Sequence, residues 1–142
     1  MKLLVLNGPN LNFLGKREPD IYGKRFLAEI NSDLEIYAKE RGIEIYFAQS
    51  NHEGILIDKL QEAVGQFDGV IFNPGGYTHT SVALRDAITS IPVPVIEVHL
   101  SNVFAREEFR HFSYLSGVCV GKISGFGENS YKLAINAFEL MR

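Results

Sequence analysis

The sequence predicts an α/β protein: a doubly wound, five-stranded parallel sheet with helices on both faces. Three observations carry that expectation. Short apolar runs recur at Leu3–Leu6, Ile43–Phe47, Val70–Phe72, Val95–Leu100 and Val118–Val120 with Ile123, as strands buried on both faces require. Segments with apolar residues at helical spacing alternate with them, and such alternation builds a covered parallel sheet. Five strands in 142 residues fit the flavodoxin-like order 2-1-3-4-5. The length suits one domain over residues 1–142 with a substantial core.

Composition narrows the function classes. Hydrophobic residues make up 46% of the chain, which argues against disorder. A net charge of −3 makes no electrostatic case for nucleic acid or an anionic membrane. The single cysteine, Cys119, has no internal partner and fits a reducing compartment. The first apolar run stops at Asn7, too short for a signal-peptide core, and no run reaches membrane-spanning length. A cytoplasmic protein is expected.

The first strand, Leu3–Leu6, leads into Asn7-Gly8-Pro9-Asn10-Leu11-Asn12. This loop carries neither phosphate-loop pattern; its asparagines read first as turn chemistry. Gly15 to Gly23 shows neither helical nor strand period and reads as a mobile surface loop or lid, with Arg17 and Tyr22 as its reactive members. Leu27, Ile30, Leu34, Tyr37 and Ala38 mark the first helix, which Gly42 stops. After the second strand, Gln49 to Gly54 is polar; His52 and Glu53 are expected to cap a helix marked by Leu56, Leu60, Ala63, Val64 and Phe67.

The third strand runs into Asn73-Pro74-Gly75-Gly76-Tyr77-Thr78-His79-Thr80-Ser81. Its glycines allow backbone to approach a ligand, and its hydroxyl residues can cap the next helix. His79 there is either a site residue or an ordinary cap-associated histidine. Leu84, Ala87, Ile88 and Ile91 mark the third helix, closed by Pro92.

The fourth strand holds the most informative stretch, Val95 to Asn102. Glu97 and His99, two apart, share one strand face, and a carboxylate beside an imidazole fixes its tautomer. Taken alone, the pair reads equally well as a strand end reaching solvent. Arg106 and Arg110 follow, on one face if Ala105 to Phe112 is the expected short helix. Val118 to Ile123 forms the last strand region, and Ala134, Ala137, Phe138 and Met141 a closing helix. By this reading Asn10, Asn73, His79, Glu97, His99 and Ser101 all fall beyond the carboxyl ends of the strands, where doubly wound sheets bind ligands.

Several motifs then stand together: Asn7-Gly8-Pro9-Asn10, Arg17-Glu18-Pro19 with Tyr22-Gly23, Gln49 to Gly54, Asn73-Pro74-Gly75 with Thr78 to Ser81, Arg85-Asp86-Ala87, Glu97 to Asn102, and Arg106 to Arg110. In order and over nearly the whole chain, they resemble the type II 3-dehydroquinate dehydratases. The resemblance implies a flavodoxin-like fold, a homododecamer of four trimers, and conversion of 3-dehydroquinate to 3-dehydroshikimate without metal or organic cofactor. It implies Tyr22 as the base, Arg17 as the lid arginine favouring its tyrosinate form, and Asn10 as holder of a water at the enolate. It implies His99 as general acid, oriented by Glu97. Leu100 and Ser101 would bind the substrate carboxylate, Asn73, His79 and Arg110 its ring hydroxyls, and Asp86 would reach in from a neighbouring subunit. One departure stands out: Phe26 occupies the position where the family usually has a threonine opening the first helix.

The chemistry asks for these residue types on its own account. A β-hydroxy ketone losing water through an enolate needs a base, an acid and a donor at the developing oxyanion. An imine route would instead need a buried lysine, and Lys2, Lys16, Lys24, Lys39, Lys59, Lys122 and Lys132 all read as lying outside a strand-end site. Two other functions compete. A flavodoxin-like cofactor binder would want a Ser/Thr-rich loop where Asn7 to Asn12 stands, and a receiver domain would want an aspartate where Asn73 stands.

Overall fold

The structure is a computed structural model that describes all 142 residues. Its centre is a parallel sheet of β1 (Lys2–Asn7), β2 (Glu44–Gln49), β3 (Gly69–Asn73), β4 (Val95–His99) and β5 (Gly121–Ser124), ordered β2-β1-β3-β4-β5. The predicted order is the observed one. The helices are α1 (Pro19–Tyr22), α2 (Leu27–Lys39), α3 (Glu53–Glu62), α4 (Val82–Thr89) and α5 (Asn129–Leu140).

Strand alternation divides the core into two halves. Leu3, Val5, Ile71, Ile96 and Val98 pack against Ile30, Leu34 and Ala38 of α2 and Tyr131, Ala134, Ile135 and Phe138 of α5. Leu4, Leu6, Val70, Phe72 and Val95 pack against Leu56 and Leu60 of α3 and Leu84, Ala87 and Ile88 of α4. The central strands β3 and β4 are buried at every residue, so β3 shows no polar alternation and the Glu97 and His99 that interrupt β4 are buried with it. No helix is long and apolar enough to cross a membrane.

The helix ends follow local chemistry. Ser81 caps α4, its Oγ accepting from Leu84 N at 2.9 Å. Phe26 opens α2 without a side-chain acceptor; Glu29 compensates by accepting from Phe26 N at 3.2 Å, half of a capping box. His52 stands at the start of α3 without a cap bond from its side chain; Ser50 Oγ instead accepts from His52 N at 3.0 Å.

Three expectations are corrected. Ala105 to Phe112 is not one helix but two short 3-10 turns, Val103–Ala105 and Glu108–Arg110. Arg106 and Glu107 between them are extended, which interrupts any helical hydrogen-bond ladder. Val118 is not in the last strand: Ser116–Val118 is a 3-10 turn, and β5 starts at Gly121. The span Gly15 to Gly23 is not wholly irregular, since Pro19 starts the single helical turn α1, as its fixed φ favours.

Candidate active site

A cleft of about 170 Å³ opens at the carboxyl ends of β1, β3 and β4. The β1 and β3 loops cross there at close range. A Cβ on Gly8 would lie 2.5 Å from Pro74 O, so only glycine fits, and Gly8 N donates to Asn73 O at 2.7 Å. Asn10 then turns through the left-handed region (φ 70°), a conformation asparagine tolerates better than most residues, and lines the cleft.

Beneath this crossing lies a buried polar knot that joins two motif asparagines, Asn7 and Asn73, to Tyr131, a residue outside every motif. The Tyr131 hydroxyl of α5 donates to Asn7 Oδ1 at 2.6 Å and accepts from Asn73 Nδ2 at 3.1 Å. Asn73 Oδ1 accepts from Gly75 N at 3.2 Å. Both amides are thereby fixed, and burial pushes the Tyr131 phenol far above its usual range, so it serves as a neutral donor. The only sequence signal for Tyr131 was a tyrosine on the apolar face of an amphipathic helix.

At the end of β4, Glu97 and His99 point to the same face. His99 Nε2 donates to Glu97 Oε2 at 2.6 Å, and both side chains are buried. Glu97 Oε1 accepts from Ser113 Oγ at 2.9 Å and Ser116 Oγ at 2.8 Å. Lys122 Nζ on β5 stands 3.5 Å from Oε2. Burial by itself would push this carboxyl up, but the bonds from His99 and Ser116 and the charges of His99 and Lys122 together hold it below the usual carboxylate range. Glu97 is therefore an anion and can only accept. That places a proton on Nε2 of His99 and leaves Nδ1 free to exchange one. Ser113, Ser116 and Lys122 escaped the sequence reading; Lys122, placed there outside any strand-end context, is in fact the β5 register neighbour of Glu97.

The lid side is cationic. Arg17 Nη2 donates to the Tyr22 hydroxyl at 3.2 Å and also to Glu18 Oε2 at 3.2 Å. The Arg17 guanidinium lies 4.7 Å from the Tyr22 ring centre, and that of Arg106 lies 5.0 Å from it. Arg106 was read as part of a motif but not as a site residue. Its Nη1 donates to Ser101 Oγ at 3.3 Å, while its buried Nε has no partner. Glu107 Oε1 lies 3.9 Å from it, an ion pair too long for a hydrogen bond, so this buried N–H in the cleft is free to donate to an anionic or hydroxylic ligand.

His79 Nδ1 donates to Phe112 O at 2.7 Å, which leaves Nε2 as an acceptor. Burial, with the nearby charges of His99, Arg110 and Lys122, holds this imidazole below its usual range and overrides the carbonyl bond. It is a neutral ring suited to a ligand hydroxyl. The structure thus gathers Asn10, Arg17, Tyr22, Asn73, His79, His99, Leu100, Ser101 and Arg110 around one cleft, with Glu97 directly behind His99. Asp86 is the exception: it is exposed on α4 and lines no part of the cleft. No lysine lines it either. No group of three or more His, Cys, Asp or Glu side chains is placed to hold a metal ion.

The family model for dehydroquinase class II matches residues 1–139. The chain is 61% identical over 132 residues to a 3-dehydroquinate dehydratase of Bacillus pumilus, covering 93% of this chain and 90% of that one. It is 53% identical over 140 residues to that of Gloeobacter violaceus, covering 99% and 88%. Among solved structures, a type II dehydroquinase from Butyrivibrio crossotus superposes with a TM-score of 0.96 at 50% identity, over 98% of this chain and 97% of that one.

Proposed function

The chain belongs to the class II dehydroquinase family, the hydro-lyases that act on 3-dehydroquinate in the shikimate pathway, and we propose that it removes water with a Tyr22 base and a His99 acid. The observation that carries this reading is that Arg17 and Tyr22, in contact with each other, and His99, backed by Glu97, are remote in sequence yet line one cleft.

In the proposed course, the Tyr22 phenolate takes the proton α to the substrate ketone, giving an enolate. Arg17 and Arg106 favour the phenolate by charge and hydrogen bonding. Asn10 positions a water against the enolate oxygen. The enolate then expels the β-hydroxyl as His99 donates its proton to it, so that water leaves and the double bond of 3-dehydroshikimate forms. Tyr22 ends protonated and His99 neutral, and exchange with solvent restores both. Glu97, an acceptor only, holds His99 for that delivery. Ser101 and the Leu100 backbone suit the carboxylate, and Asn73, His79 and Arg110 suit the ring hydroxyls. The steps need no metal or organic cofactor.

Asp86 completes the site from a neighbouring subunit in this reading, within a dodecamer of four trimers in the cytoplasm. Two features support assembly. Asp86 lines no part of the cleft of its own chain, and Phe104, Phe109 and Phe112, on the segment that carries Arg106 and Arg110, are 64%, 61% and 62% exposed, large apolar side chains that a lone chain leaves wet.

The decisive experiment is a spectrophotometric assay. Purified protein added to 3-dehydroquinate should generate ultraviolet absorbance from the conjugated product. No rise at any protein concentration would overturn the reading.

A further inference from the structure

The carboxylate behind His99 is not alone with the imidazole. In the parallel ladder Glu97 pairs with Lys122, and directly paired residues on adjacent strands emerge on the same face. That register brings Lys122 Nζ to 3.5 Å from Glu97 Oε2, the same oxygen that takes the His99 proton at 2.6 Å. The lysine is largely covered, with 21% of its side chain exposed, so solvent screens this charge only in part. It does not line the cleft and so cannot touch a substrate.

A carboxylate stabilises an imidazolium and therefore strengthens its hold on the proton it must give away. A cation on the same carboxylate oxygen opposes that effect. We propose that Lys122 is a positioning residue: held beside Glu97, it offsets part of the carboxylate charge, loosens the His99 proton and makes His99 the stronger acid. The serines complement this. Ser113 and Ser116 fill Oε1, so that Oε2 is the oxygen shared by His99 and Lys122.

The other groups around the pair do not account for the same effect. Cys119, whose thiol burial pushes up to about 12, is neutral, and His79 is held neutral as well. Tyr22, Arg17, Arg106 and Arg110 share the cleft with His99, but none of them hydrogen-bonds or ion-pairs with Glu97, whose partners are His99, Ser113, Ser116 and Lys122. All of them persist in a Lys122 variant, so a difference between variants isolates the lysine.

The inference rests on His99 being the acid only for its kinetic consequence; the charge linkage is measurable without turnover. The test is an NMR titration of isotope-labelled histidines in the full-length protein, with the four imidazoles assigned by single substitutions, for wild type, Lys122→Met and Lys122→Arg. Circular dichroism verifies the fold of each variant. Lys122→Met should raise the His99 midpoint by about half a pH unit or more, and Lys122→Arg should return it toward wild type. The alkaline limb of kcat should move up with it, with kcat on the plateau a few fold lower at unchanged KM. An unmoved His99 midpoint in folded Lys122→Met, or in Lys122→Gln if the methionine variant does not fold, overturns the proposal. A midpoint that moves while the kcat limb stays fixed supports the linkage and overturns the assignment of His99 as the acid.

Discussion

Arg17 and Tyr22, five residues apart, meet edge and face at once. The guanidinium donates to the phenolic oxygen at 3.2 Å while its centre lies 4.7 Å from the ring. The turn α1 between them makes this possible, because one helical turn returns the chain over its own start. A phenol ordinarily titrates near pH 10, so a phenolate at neutral pH needs help of about 4 kcal/mol. Tyr22→Phe should nearly abolish turnover while substrate still binds, since only the reacting oxygen is lost. Arg17→Ala should be severe and Arg17→Lys should recover only part, because an ammonium lacks the planar fork. Kinetics with binding measured by calorimetry checks this; normal turnover in Tyr22→Phe removes the base from this residue. Borohydride added with substrate should trap no protein adduct.

His99 carries the second prediction. His99→Ala should cost roughly a hundred-fold or more in kcat. Glu97→Gln keeps size and an acceptor but loses the charge, and should cost less. Near-normal turnover in His99→Ala, read from product absorbance, would assign the acid elsewhere.

Acid stability should fall in two windows. His79, held below its ordinary value of 6.5 by burial, binds fewer protons folded than unfolded. Its contribution is full above about pH 6.5 and is lost as pH falls through the lower folded value. Glu97, held below its ordinary value of 4.5, behaves alike in a lower window, beginning near pH 4.5. Melting temperature measured against pH should therefore decline first below about 6.5 and again below about 4.5. His79→Gln should flatten the first decline and leave the second; an unchanged first decline would remove His79 as its source.

Tyr131→Phe should destabilise the fold by about 1–3 kcal/mol, because it strands two buried amides, Asn7 and Asn73. Urea unfolding measures this. The same change should also weaken substrate binding, since Asn73 loses the partner that orients it toward the cleft.

Assembly is the last expectation. Asp86→Ala should raise KM in an otherwise intact oligomer, and light scattering should report a large homo-oligomer for the wild type. A fully active monomer would show that the cleft of one chain suffices.

Much of the fold was legible in local pattern. The runs at Leu3–Leu6 and Val70–Phe72 had to be strands buried on both faces, and the 3.6-residue spacing of Ile30, Leu34 and Ala38 had to be a core-facing helix. Strand alternation alone put Glu97 and His99 on one face. The segment from Ala105 to Phe112 misled, because its helix depended on backbone bonds that Arg106 and Glu107 give up by extending. Phe26, which has no capping atom, was answered by Glu29 three residues on, a compensation that spacing permits but does not demand.

The sequence by itself determined the strand–helix alternation, the strand order it favours, and the loops that gather at one sheet edge, because those follow from the periods of side chains along a chain. Only the tertiary structure decided what stands behind and around the reactive groups. Lys122 reaches Glu97 through the β4–β5 register, Tyr131 reaches Asn7 and Asn73 from the last helix, and Arg106 turns to Tyr22 across the cleft. Each of these contacts joins residues far apart in the chain, and no local period encodes such a distance; it arises only when the sheet closes its register and the helices bury their faces against it.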